Sequence, residues 1–356
     1  MVKKKKRINK KTRKLLLIVQ LLAIGLLIIF GIRFFNIYKQ VYKPNVILPD
    51  SQAELYIPTG SSLEDVSRIL YKQNFITDRN SFEWLAEKKN YSNLIKPGCY
   101  IIKDGMSNND LINLLRSGRQ TPVKVMFHNV RSTSQLAGII AAQLELDSVS
   151  LVRLLSNNKF LTEKGFNLQT IPAMFIPNTY EFYWNTDEKA FLTRMYTEYE
   201  KFWNKKRKKK AEKIGLTPVE VSTLASIVDE ETLFDDELKR VAGTYMNRLQ
   251  KNMRLQADPT IRFAMGDFTI QRILHKHLAF DSPYNTYKHG GLPPGPITIP
   301  SVAAIDAVLD HEDHDYLYFC ARDDFSGYHH FSKTLAQHNR YAAKYRMALN
   351  RKRIYK

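Results

Sequence analysis

Cysteine is nearly absent from this sequence: Cys99 and Cys320 are the only two in 356 residues. Two isolated cysteines without a CxxC spacing exclude a disulfide framework of the kind that holds small secreted domains, and they do not decide whether the pair joins. Metal-ligand spacing is missing as well. His311, His314, His329, His330 and His338 cluster without an HExxH or related pattern, so they read as surface or groove residues, and no metal and no cofactor is expected. Long hydrophobic runs are lacking with one exception. Residues 15–32, LLLIVQLLAIGLLIIFGI, carry no charge and are interrupted in polarity only by Gln20. At about 1.5 Å of rise per residue this run spans roughly 27 Å, enough to cross a bilayer once.

The fourteen residues before that run lack acid altogether and contain nine Lys or Arg. This bias places residues 1–14 in the cytoplasm, 15–34 in the membrane and everything beyond outside. No small-x-small cleavage pattern follows at Arg33 to Tyr38, so the reading is an uncleaved anchor rather than a signal peptide. Acid is in deficit overall, at 35 Asp and Glu against 54 Lys and Arg. Without the nine basic residues of the tail the balance is still 45 against 35, and KKRKKK at 205–210 with RKRIYK at 351–356 supplies most of the surplus. On an exported protein such runs are solvated helix faces, or they meet anionic lipid headgroups or an anionic wall polymer; nucleic acid is not expected.

With 44% hydrophobic residues the chain has enough for one large or two modest cores. Residues 35–53, with Pro44 and Pro49, read as a stalk. Residues 54–120 read as a compact β/α module in the order strand, helix, helix, strand, helix, with Ser caps and a stop at Gly118. A mixed α+β domain occupies 121–356. Its stretch FIPNTYEFYWN is dense in aromatics (Phe175, Tyr180, Phe182, Tyr183, Trp184) interleaved with Asn178, Thr179 and Glu181. That pattern suits either ordinary core or a wall on which sugars stack. Residues 189–213 read as one long charged helix.

The stretch STLASIVDEETLFDDEL, residues 222–238, concentrates six carboxylates. Thr217, Pro218 and Glu220 form a helix start, which fixes the phase of the helix they begin. At 100° per residue Glu231 falls at the centre of the stripe of Val221, Leu224, Ile227 and Val228, while Asp229 and Glu230 fall on the far side, expected in solvent. Asp235, Asp236 and Glu237 sit in the first turn of the next helix, where the dipole accounts for them. A carboxyl on an apolar stripe is paired, misphased or desolvated, and desolvation raises its pKa as a general acid near neutrality requires.

LASIVDEET, NRLQKNMRLQADPT, SPYNTY, GLPPGPITIPS, YLYF and HHFSKTLAQHN occur in that order. Together they resemble the motifs of the endolytic murein transglycosylases, the YceG-like family bound to the inner membrane, over roughly residues 54–346. The resemblance implies a LysM-like module at 54–120 and a catalytic domain at 121–356. It implies Glu231 as the catalytic residue, because Glu231-Thr232 matches the Glu-Ser/Thr pair of lytic transglycosylases. Thr232, Gln256, Asp258, Tyr284 and Asn285 are implied as substrate-binding residues, with Thr260 on the same wall; Tyr180 and Glu181 join them from the aromatic stretch. Asp229-Glu230 departs from the Glu-Lys pair common in the family.

The implied reaction cuts the MurNAc-GlcNAc bond of nascent peptidoglycan glycan strands, leaving 1,6-anhydro ends. It uses one carboxyl and no cofactor, outside the cytoplasmic membrane and in partnership with peptidoglycan synthases. Two alternatives stay open on the sequence. A lysozyme-like hydrolase needs a second carboxylate, with Asp258 or Glu181 the candidates. A non-catalytic wall-binding anchor holds glycan without cutting it.

Overall fold

The structure, a computed structural model, describes residues 10–270 and 272–352. The first nine residues of the basic tail and the last four of the basic C-terminus lie outside the described residues. Among the described residues 54% are helical and the sheets, three of them, have two strands each, so the fold is mixed α+β with the sheets as minor elements. Two compact units result: one runs to Val123 and includes Tyr183–Asn185, and the other comprises Lys124–Phe182 with the chain from Thr186 onward.

In the first unit, helix Lys10–Tyr42 has 33 residues and is long and apolar enough to cross a membrane. Its apolar side chains, Leu15 to Ile32, are exposed. The segment read as a stalk is not an open linker. Residues 35–42 continue this helix, and Val46 and Leu48 are buried in the core of the module with Leu55, Ile57, Tyr100 and Leu111. Asn45 explains why the chain turns inward after Pro44. Its Oδ1 accepts from Asp78 N at 2.7 Å and Thr77 N at 3.2 Å, while its Nδ2 donates to Asn108 Oδ1 at 2.7 Å. A buried amide satisfied on both sides fixes the segment against the module.

The element order strand, helix, helix, strand, helix is the one observed. Gln52–Ile57 pairs antiparallel with Gly98–Lys103, Leu55 opposite Tyr100. Helix Leu63–Lys72 begins with a capping box of Ser62 and Asp65, and helix Asn108–Ser117 ends at Gly118 with φ 68°. That left-handed conformation is one glycine adopts without steric cost.

In the second unit the stretch read as one long charged helix is two, Glu188–Phe202 and Lys205–Lys213. Asn204 breaks it: its side chain caps the second helix by accepting from Lys206 N and Arg207 N at 3.0 and 3.1 Å. Arg207 and Lys210 then pair with Asp306 and Asp310, so the basic run is partly neutralised at home.

Three helices form the centre of this unit: Pro218–Glu231, Asp235–Gln250 and Val302–Leu309. The first starts as its sequence requires, with Thr217 and Glu220 in a reciprocal capping box around Pro218. It is buried on every face from Val221 to Val228, not only along the apolar stripe. Ser222, Thr223, Ala225 and Ser226 are small enough for neighbours to approach, and Ser226 Oγ accepts the backbone N–H of Ile297 at 3.0 Å.

Asp229, half-buried just beyond this stretch, is not the solvated acid expected. Its carboxylate accepts from both the backbone N–H and the hydroxyl of Ser301 at 2.8 Å, and Ser301 is the N-cap of helix Val302–Leu309. Glu237 departs likewise: it is 2% exposed and hydrogen-bonded to the strand His329–Ser332. Asp235 and Asp236 are exposed in the first turn of their helix, as expected.

Truncating Asp229 leaves Ser301 without its charged acceptor. Asp229→Ala is therefore expected to lower unfolding free energy by about 1–3 kcal/mol, whereas Asp235→Asn stays within about 0.5 kcal/mol. Urea denaturation of the two variants checks the contrast.

Candidate active site

Glu231 closes the central helix, and Thr232 leaves it in extended geometry, φ −137°. The helix end opens into a cavity of about 460 Å³ whose lining includes Glu231, Tyr245, Arg248, Gln256, Asp258 and His329. Glu231 keeps partial exposure to this cavity, yet protein crowds its carboxyl. That desolvation is the main reason its pKa rises from 4.5 to about 7. The Tyr245 hydroxyl donates to Glu231 Oε1 at 2.5 Å and pulls the pKa down; the negative charge of Asp258 pushes it up, and Arg262 and Arg248 oppose that push. A proton is therefore held or released near neutrality, as a general acid needs.

The neighbours are fixed by helix Asp235–Gln250. Tyr245 is buried, its ring edge-on to Phe319 at 5.6 Å, and burial beside Glu231 raises its own pKa far above the usual value. Arg248, 8% exposed, donates to the carbonyls of Leu317 at 2.6 Å and of Arg254 and Leu255 at 3.1 and 2.6 Å. It thus ties the hairpin Tyr318–Ala321/His329–Ser332 and the segment 254–256 to one wall. Gln256 sits in that wall with φ 51°, its N–H donating to Thr286 O at 3.1 Å.

Among the residues singled out in the sequence, Glu231, Gln256 and Asp258 meet in this cavity. Asp258 accepts the Tyr287 hydroxyl at 2.5 Å. Thr232 is buried behind the site, its hydroxyl donating to Glu237 Oε2 at 3.3 Å. Tyr284 lines a separate cavity of about 260 Å³ with Arg131 and Phe263. Asn285 and Thr260 are fully buried and organise the backbone. Asn285 donates to Leu278 O and Phe280 O and accepts from Tyr287 N, so it positions Tyr287 from behind.

The aromatic stretch does not build a wall of this cavity. Tyr180 is buried with its hydroxyl on Ile176 O and its ring stacked on Phe127, Glu181 is exposed, and Trp184 packs on Tyr56 in the first unit. Glu230 turns to Arg131 at 3.4 Å and does not line the cavity. Both cysteines are free thiols. Among the described residues no group of three or more His, Cys, Asp or Glu is arranged to hold a metal ion.

Sequence reasoning missed Tyr245, Arg248 and Tyr287, and reached His329 only as one of a cluster of surface or groove histidines. A signal for the first existed: Tyr245 lies on the apolar stripe of its helix, and a buried tyrosine hydroxyl needs a partner.

The sequence pattern of the YceG-like family matches residues 55–344, which include the whole cavity. The chain belongs to the YceG-like family. A Bacillus subtilis (strain 168) protein named endolytic murein transglycosylase is 30% identical over 338 residues, covering 88% of this chain and 90% of that protein. A protein of the same name from Streptococcus pneumoniae serotype 2 is 26% identical over 343 residues, covering 85% of this chain and 61% of that one. A crystal structure of a yceG-like protein from Listeria monocytogenes superposes with TM-score 0.56 at 29% identity, covering 82% of this chain and 98% of that one. A YceG-like chain with its acid at a buried helix end thus has relatives named for cutting murein.

Because the Tyr245 hydroxyl favours the ionised form of Glu231, Tyr245→Phe is expected to move the Glu231 pKa upward by about one unit, the worth of one charge-assisted hydrogen bond. A ¹³C-carboxyl NMR titration, with Glu231→Gln to assign the resonance, reads the shift directly.

Proposed function

We propose that this protein is a membrane-anchored endolytic lytic transglycosylase acting on nascent, uncrosslinked peptidoglycan glycan. The observation that carries the reading is the Glu231 carboxyl, with its pKa near 7 in an open cavity of a YceG-like domain. The names of the relatives support the substrate class. Helix Lys10–Tyr42 serves as a single-pass anchor in the cytoplasmic membrane, its basic end inside and the catalytic domain outside. The unit at 54–120 acts as a LysM-like module that positions glycan. Strand termination beside membrane-bound peptidoglycan synthases is the setting this arrangement serves.

Protonated Glu231 donates to the glycosidic oxygen between N-acetylmuramic acid and N-acetylglucosamine. The muramyl N-acetyl group stabilises the oxocarbenium ion. The C6 hydroxyl then closes the 1,6-anhydro ring, and in the single-carboxyl scheme Glu231, now ionised, takes its proton. Neither water nor a metal takes part in this scheme.

One observation favours a second reading. Asp258 lies in the same cavity and its charge acts on Glu231, so it is placed to serve as the second carboxylate of a hydrolase. Product mass separates the two. Full-length protein in detergent, acting on uncrosslinked glycan, is expected to give anhydro ends about 18 Da lighter than the hydrolytic product. Glu231→Gln is expected to lower the rate about 10²–10⁴-fold. Reducing ends from the wild type would establish the hydrolase instead.

A further inference from the structure

Glu237 is a buried carboxylate that the single-carboxyl scheme does not use, and three donors converge on it. Its Oε1 accepts the backbone N–H of His329 at 2.9 Å; its Oε2 faces the His329 imidazole Nδ1 at 2.8 Å and the Thr232 hydroxyl at 3.3 Å. A carboxylate acceptor at Nδ1 makes that nitrogen the one carrying hydrogen and leaves Nε2 as an acceptor. Nε2 has no partner among the described residues, and His329 lines the same cavity as Glu231. The ring is held edge-on against Phe319, centroids 5.3 Å apart.

A purely structural link does not require an imidazole here. The backbone N–H at 329 and the Thr232 hydroxyl would tie the hairpin to the end of the acid-bearing helix with another side chain in place. What the imidazole adds is a basic nitrogen of fixed tautomer in the cavity, backed by a carboxylate, and this arrangement activates hydroxyl groups elsewhere.

We propose that His329 is a catalytic base for ring closure, with Glu237 as its positioning residue. The proposal rests on the reading of the reaction as an intramolecular transfer. Glu231 gives its proton to the glycosidic oxygen as the bond to C1 breaks, and the electron pair of that bond stays on the departing oxygen. The muramyl C6 oxygen bonds to C1 while its proton passes to His329 Nε2, and Glu237 faces the imidazolium that forms. His329 then releases its proton to water and Glu231 takes one back, so protons balance and no water is added to the sugar.

Three full-length proteins in detergent, the wild type, His329→Asn and His329→Ala, test this on uncrosslinked glycan. Asparagine keeps a donor toward Glu237 and removes the base. His329→Asn is expected to lose about 10²-fold or more in kcat with KM nearly unchanged. Its product is expected to shift from 1,6-anhydro toward reducing ends, because water captures the oxocarbenium when the C6 hydroxyl keeps its proton. Added imidazole is expected to restore rate and anhydro product to His329→Ala. Wild-type kcat with only anhydro ends in His329→Asn overturns the proposal, as does a loss in both variants that imidazole does not rescue and that leaves the product ratio unchanged. Reducing ends from the wild type itself overturn the transfer reading and this base together, and the wild-type spectrum alone identifies that case.

Discussion

The site depends on one carboxyl held where water solvates it poorly. Glu231 ends a helix buried from Val221 to Val228, and lifting its pKa from 4.5 to about 7 corresponds to about 3 kcal/mol against the ionised form. The surrounding polar contacts keep that position from relaxing into solvent. Tyr245 donates to Glu231 from the next helix, Asp229 draws in the cap of helix Val302–Leu309, and Glu237 fastens the hairpin strand that carries His329. Three of the six acids in this short stretch therefore act inward, each on a different neighbour.

The cavity balances opposite charges around the acid. Asp258 raises the Glu231 pKa, while Arg262 and Arg248 lower it. Arg248 has a second duty, because its hydrogen bonds to Leu317, Arg254 and Leu255 join two chain segments into one wall. Replacing it would alter shape and proton affinity at once. The wall near Gln256 also adopts a positive φ, a conformation a non-glycine residue keeps only where its surroundings hold it.

The local parts of this design were legible in the sequence. The Thr217–Glu220 cap fixed the phase of the helix, and phase and motif together selected Glu231. Gln256 and Asp258 were reached through the motif and do line the cavity. The misreadings concern acids whose partners are distant in sequence: Asp229 meets a serine 72 residues away and Glu237 a histidine 92 residues away. Helical phase predicts which face of a helix is apolar, but it does not reveal that small Ser, Thr and Ala residues let the other faces be buried too. Asn285 and Thr260 were placed in the groove because motifs mark residues that matter, whereas the structure has them fixing the backbone behind it. The packing of the segment read as a stalk was hidden for a similar reason, since Asn45 and Val46 are held by contacts with Asp78, Asn108 and the module core.

The desolvation of Glu231 is tested most directly by comparing the unfolding free energies of wild type and Glu231→Gln across pH. An acid whose folded pKa lies above its unfolded value weakens the fold only when ionised. Below about 4.5 both states keep the proton, so the two proteins are expected to be equally stable. From there to about 7 the variant is expected to gain an increasing advantage, approaching about 3 kcal/mol and constant at higher pH. A difference that does not change with pH, or one that favours the wild type as pH rises, would contradict the account.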